Sequence, residues 1–202
     1  MKLKVDNIKD ILPKDLLQVD SLPEDPAGSI TFMAQNEHAG IMLQVYMVGV
    51  EEAMDYDNVD HLIHSIHNTV REDQALVEVD NGLTASRRKF IYSIVKTKLE
   101  EGGVQYTVLI HIDNDDEALS ILIFLSEMGI TGQRDAAVFE WATRQGIVSI
   151  DDRSKWMVDR YVPDLKRGYL MNLSEYEDFD EAFPEHPLSR GRKIIKIITE
   201  SL

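Results

Sequence analysis

Apolar and polar side chains alternate from Val104 to Ile112, with Val104, Tyr106, Val108 and Ile110 on one side and Gln105, Thr107 and Leu109 on the other. That period of two predicts a β-strand with one face on a core. Strand-like runs also occur at Ser29 to Ala34, Ile41 to Val50, Ala75 to Val79, Phe90 to Thr97 and Leu119 to Leu125. The turn Glu37 to Gly40 makes the first two a hairpin. Asp80-Asn81-Gly82, Gly102-Gly103 and Asn114 to Glu117 read as turns that join the rest into an antiparallel meander. Between the two sets the period changes: Val59, Leu62, Ile63, Ile66 and Val70 recur at helical spacing, so a helix is expected from about Val59 to Arg71, capped by Asp57 or Asn58. A second helix should start at Thr131 as N-cap, carry Ala136, Val138, Phe139 and Ala142, and end at Gly146.

The order ββ, α, ββββ, α defines an α+β fold, an antiparallel sheet of about six strands flanked by helices. Residues 1–28 read as a lead-in, with a short helix expected from Lys14 to Val19, and residues 29–146 as the core domain. Residues 147–202 read as a C-terminal helical extension docked on that core. In it, Ser174 and Glu177 have capping-box spacing, and Tyr176, Phe179 and Phe183 form one stripe, predicting a short acidic helix stopped by Pro184. His186-Pro187 opens a last helix with Leu188, Ile194, Ile195, Ile198 and Leu202 on a broad apolar face.

Composition narrows the function classes. The 202 residues contain no cysteine, which removes disulfides, thiolate metal sites and cysteine nucleophiles. Acidic residues number 36 against 21 basic, a net charge of −15, so the chain should repel nucleic-acid backbones. The N-terminal residues lack a signal-peptide pattern, and no apolar run approaches a membrane span, so a cytoplasmic location without membrane contact is expected.

Two phrases carry a family resemblance. One is Asp80-Asn81-Gly82-Leu83-Thr84 followed by Arg88-Lys89-Phe90-Ile91-Tyr92-Ser93-Ile94-Val95-Lys96. The other is Phe124-Leu125-Ser126-Glu127-Met128-Gly129-Ile130-Thr131-Gly132-Gln133-Arg134-Asp135. With the strand order between Ser29 and Trp141, they resemble the PsbP-like fold, shared with the Ran-binding Mog protein, in its small uncharacterised bacterial branch. The resemblance implies an α/β/α sandwich and a non-enzymatic binding or accessory protein. It transfers no functional residue.

Three groups could carry chemistry. His61, His64 and His67 are spaced three apart on the first helix, and with Asp57 or Asp60 two of them could share a zinc-like ion. The alternative is a solvated polar face. Gly129 to Asp135 is a glycine-bearing turn into a helix, where Thr131 and Arg134 could hold an anion. The alternative is a turn in which Thr131 caps and Arg134 pairs with a carboxylate. Arg87, Arg88 and Lys89, and separately Arg190, Arg192, Lys193 and Lys196, are the basic concentrations of an acidic chain. The hairpin group reads as a docking patch, and the helical group as neutralised internally by Glu175, Glu177, Asp178, Asp180 and Glu181. No Gly-x-Ser-x-Gly element or His-Glu-x-x-His element occurs. The expected function is therefore a cytoplasmic, non-catalytic protein that binds another protein and needs no cofactor, such as an accessory factor for secretion. The alternatives are an immunity-type inhibitor of a basic toxin and a metal-dependent hydrolase using His61, His64 and His67.

Overall fold

A computed structural model describes residues 2–152, 154–165 and 168–202. Its centre is a seven-stranded antiparallel sheet made of β1 (Leu17–Val19), β2 (Ile30–Gln35), β3 (Ala39–Gly49), β4 (Gln74–Leu83), β5 (Lys89–Lys98), β6 (Val104–Asn114) and β7 (Glu117–Glu127). The strands lie in the order β1-β2-β3-β7-β6-β5-β4. The meander β4 to β7 forms through short turns, and β3 then pairs with β7 along its whole length. The α+β class and antiparallel sheet follow the alternation in the sequence.

Register assigns the faces. Phe32, Leu43, Ile123, Val108 and Ile94 are cross-strand neighbours in one row, and Val45, Ile121, Ile110 and Tyr92 in another. These rows belong to the main core. It is closed by Ile8, Leu12 and Leu16 from the lead-in and by Leu188, Ile194, Ile195 and Ile198 from α3 (Pro187–Ser201). Those four α3 side chains span several turns of one helix face, as the sequence periodicity requires. Gly191 lets α3 lie close to the sheet, since a Cβ there would sit 3.3 Å from a Leu125 methyl carbon.

The opposite face has less cover. Residues 50–58 cross it near its β4 end, where Met54 N donates to His111 Nδ1 and Asn81 Nδ2 donates to the Tyr56 carbonyl. α1 (Val59–Thr69) follows and packs along β4. Asn58 caps it by accepting from His61 N. The outer edge of β4 is closed by the tail, where Tyr161 Oη accepts from Val79 N at 2.6 Å and donates to Val79 O at 3.2 Å. A second small core joins α2 (Gln133–Arg144) to the tail through Val138, Ala142, Val148 and Trp156, with Phe179 and Phe183 packed against it.

Five local expectations are corrected. Residues 14–19 do not form a helix; Leu16 is buried in the core and Leu17–Val19 pair with β2 as a seventh strand. Asp80-Asn81-Gly82 is not a turn but part of β4, paired with Tyr92, Ile91 and Phe90. Gly82 serves packing there, because a Cβ would lie 3.0 Å from the Phe90 ring. The chain reverses later, at Thr84 to Arg88, where Arg87 takes φ 65°. The acidic stripe Tyr176, Phe179 and Phe183 is not a continuous helix but is preceded and crossed by two 3-10 turns, Leu173–Glu175 and Glu177–Phe179. The capping box belongs to Asn172 and Glu175 instead of Ser174 and Glu177, because Glu175 turns inward. Lastly, α2 is capped by Gly132 at φ 70°, not by Thr131.

Candidate functional site

The three histidines do not converge. His61 and His64 are exposed, whereas His67 is buried and places Nε2 2.8 Å from Asp159 Oδ2. No group of three or more His, Asp or Glu side chains positioned to hold a metal occurs among the described residues. The ligand set of the hydrolase alternative is therefore not assembled: one member of the trio is spent on the tail, and the other two face solvent.

The turn from Gly129 to Asp135 is filled from within the chain. Glu127 Oε1 accepts from Gly132 N at 3.0 Å and Oε2 accepts from Val104 N at 3.0 Å. Burial opposes ionisation of Glu127, but these amides and His186 outweigh it and hold its carboxyl below the usual range. Arg134 is only 1% exposed. Its guanidinium donates to the Ser174 and Tyr176 carbonyls, the Asp180 carboxylate and the Ser189 hydroxyl. An external anion would have to displace these partners. Thr131 lies beside Gly103, with its methyl 2.9 Å from where a Cβ on that glycine would be. A pocket of 240 Å³ opens next to the turn, with Glu127, Arg134, Phe183 and His186 in its wall.

The same seam gathers the titratable groups buried between sheet and tail. Glu78 accepts from Tyr92 Oη and from Arg192 Nε, and Arg192 also bonds Asp180 and the Glu175 carbonyl. Asp135 accepts from Ser174 Oγ and Asn172 Nδ2; burial pushes its carboxyl above the usual range. Arg192 is thus neutralised within the fold, by Asp180 as expected and by Glu78, which the sequence reading missed. Arg190 pairs with Asp15, and Lys196 lies 3.8 Å from Glu200.

Arg87, Arg88 and Lys89 sit at the β4–β5 hairpin tip beside the end of α3; Ala85 N donates to Thr199 O and Ser86 N to Leu202 O. Arg88 Nη1 donates to the Asp113 carbonyl at 3.0 Å, and Lys89 Nζ lies 2.5 Å from Asp57. Arg87 is exposed and makes no ion pair among the described residues. Among the described residues, Arg87 is therefore the cation that the patch leaves without an ion pair.

A surface that sequence reasoning did not single out lies on the less covered sheet face. Leu17, Met33, Met42, Phe124 and Thr107 are successive cross-strand neighbours from β1 to β6. Leu17 is 66% and Met33 48% exposed, and Met42 and Phe124 are half-buried. They border a shallow hollow of 620 Å³ that Met128 also lines. The alternation of β3 and β7 carried the signal, since Met42 and Phe124 fall opposite the Ile41, Leu43, Ile123 and Leu125 set. Only the register joins them into one row.

No family model matches the chain, and no curated protein matches it. Among solved structures it is similar to the Ran-binding protein Mog1p of Saccharomyces cerevisiae, at 11% identity and a TM-score of 0.41 over 64% of this chain and 75% of that one. It is also similar to a Pseudomonas aeruginosa protein of unknown function, at 10% identity and a TM-score of 0.37 over 65% of this chain and 93% of that one. A third is the cyanobacterial PsbP of Synechocystis, at 10% identity and a TM-score of 0.37 over 67% of this chain and 81% of that one. Two of the three carry the names, Mog and PsbP, that the sequence resemblance gave.

Proposed function

We propose that this chain is a non-catalytic protein-binding protein that docks its partner on the open sheet face. The observation that supports this most directly is the row Leu17, Met33, Met42 and Phe124, apolar and left accessible across four strands. Apolar patches rimmed by polar groups mark interaction sites, and methionine adapts its shape to different partners. Gln35, Gly40, Ser126 and Gln105 form a polar border along one side of the row. The charged groups in the sheet–tail seam, by contrast, are turned toward each other and hold the fold. A cytoplasmic accessory factor, for example in secretion, fits this surface. The net charge of −15 also suits an inhibitor that neutralises a basic toxin. In either case the hairpin tip of Arg87, Arg88 and Lys89 offers a second contact, made through Arg87.

A photo-crosslinking residue at position 33, tested in the native host with position 100 as control, checks the reading. A discrete protein adduct from position 33 alone is expected. Equal labelling at both positions, or no protein adduct from position 33, overturns it.

A further inference from the structure

The chain from Asp15 to Val70 contains ten acidic residues and no lysine or arginine, so it carries ten of the net fifteen negative charges. This stretch builds β1, β2, β3 and α1 with the loops between them, and two of its ten acids, Asp15 and Asp57, are paired with Arg190 and Lys89. Asp25 in the β1–β2 loop reaches that face itself, since its Oδ1 accepts from Gln44 Nε2 at 2.7 Å. Gln44 is in the register row next to Met42, beside Thr31 and Leu122. Neither Asp20, Glu24 nor Asp25 has a cationic partner among the described residues. Apolar ground and unneutralised negative charge thus lie side by side.

From this we infer that the element seated on the open face is a basic amphipathic helix of the partner protein, an inference that rests on that face being the docking surface. Three observations select it. The sheet closes the β4 end of the same face with α1, and among the described residues no helix packs equivalently on that face of β1, β2, β3 and β7. Four strands at about 4.8 Å spacing leave a strip roughly 14 Å wide. One helix with its side chains, about 10–12 Å in diameter, fills that strip. An apolar stripe would meet Leu17, Met33, Met42 and Phe124, while Lys or Arg on its flanks would meet the acidic loops. A second copy of this chain would bring like charge against like, which disfavours self-pairing.

The test uses two labelled peptides of about 18 residues with the same amphipathic leucine pattern, one with lysine and the other with glutamate at the polar positions. Fluorescence anisotropy against the whole chain should show the lysine peptide binding at least about tenfold more tightly, with a gap that narrows as salt rises toward about 0.15 M. The deciding variant is Leu17→Asp with Met33→Asp. It adds two negative charges, so attraction by charge alone would leave lysine-peptide binding unchanged or tighter. Docking on the row requires it to fall by about tenfold or more. Both side chains are exposed, and an unchanged melting temperature verifies the fold. Unchanged binding by that variant, or equal binding of the two peptides, overturns the inference. So does a wild-type dimer in sedimentation that the variant splits, because a second copy is then the occupant. A crosslink from position 33 combined with failure of the peptides keeps the docking face and removes the basic helix.

Discussion

Lys96 Nζ and Glu175 Oε2 are 2.7 Å apart with their side chains 0% and 1% exposed, which makes them an ion pair sealed between the sheet and the tail. Glu175 also accepts from Tyr106 Oη and Asn172 N, and Lys96 Nζ lies 4.3 Å from the centre of the Tyr169 ring. Taking two charges out of water costs several kcal/mol each, and only close geometry with further hydrogen bonds offsets that. Glu175 has those hydrogen bonds, and Lys96 has the face of the Tyr169 ring. The pair ties β5 to a segment 79 residues further along the chain.

Removing one member should therefore be far worse than removing both. Lys96→Met leaves the Glu175 carboxylate buried without its cation and should cost about 3–5 kcal/mol in urea unfolding. Lys96→Met combined with Glu175→Leu should recover much of that loss. A single variant within about 1 kcal/mol of the parent would mean that the seam admits water and the pair is not sealed.

Acid should weaken the fold through His111. Burial lowers its pKa from 6.5 to about 4, and its Nδ1 must stay unprotonated to accept from Met54 N. The unfolded chain binds this proton at the ordinary histidine pKa and the folded chain only near 4. Between these values the unfolded state holds more protons, so stability rises with pH. Cooling of the melting temperature should begin near pH 6.5 and continue toward pH 4, with a loss of up to about 3 kcal/mol from this site. His111→Gln should flatten that part of the profile. A profile of the same slope in the variant would place the sensitivity elsewhere.

The sequence carried the sheet well because a half-buried strand must alternate, and Val104 to Ile112 does. It carried β1 poorly. Three residues give no period, and what fixes them as a strand is the burial of Leu12 and Leu16 and the free edge of β2. Asn81-Gly82 has the chemistry of a turn, yet Phe90 and Tyr92 hold Gly82 and Asp80 in the ladder, so long-range pairing overrides the local signal. At the candidate sites, the spacing put His61, His64 and His67 on one helix, but the Asp159 partner that buries His67 lies 92 residues away and has no local trace. Arg134 pairs with a carboxylate, Asp180, as one of its two readings had it, but its acceptors at Ser174, Tyr176 and Ser189 are 40 or more residues away and leave no local trace. The open row is legible only once register aligns side chains from four strands.

The last helix should be integral to folding. Ile198 is 0% exposed in the main core, and Ile198→Ala should cost about 2–5 kcal/mol. Phe183 is half-buried against the α2 cluster, so Phe183→Ala should cost less than Ile198→Ala. Both can be read from thermal unfolding. If Ile198→Ala melts like the parent, α3 is separable from the sheet and the core closes without it.

Arg87 allows backbone strain and partner binding to be told apart at one position. Its φ of 65° lies in the left-handed region, which costs a non-glycine residue roughly 1 kcal/mol. Arg87→Gly should relieve that cost and raise the melting temperature. Arg87→Glu keeps the strain and should change stability by less than about 0.5 kcal/mol, because the side chain is exposed and makes no ion pair among the described residues. Neighbouring Lys89 and Arg88 are held by Asp57 and the Asp113 carbonyl, so the charge offered to a partner at this tip is mainly that of Arg87. If the tip is a contact, Arg87→Gly should weaken binding of the crosslinked partner and Arg87→Glu should weaken it further, mostly through the association rate and less at high salt. Wild-type affinity of Arg87→Glu at low salt would remove the tip from the interface and leave docking to the open sheet face alone.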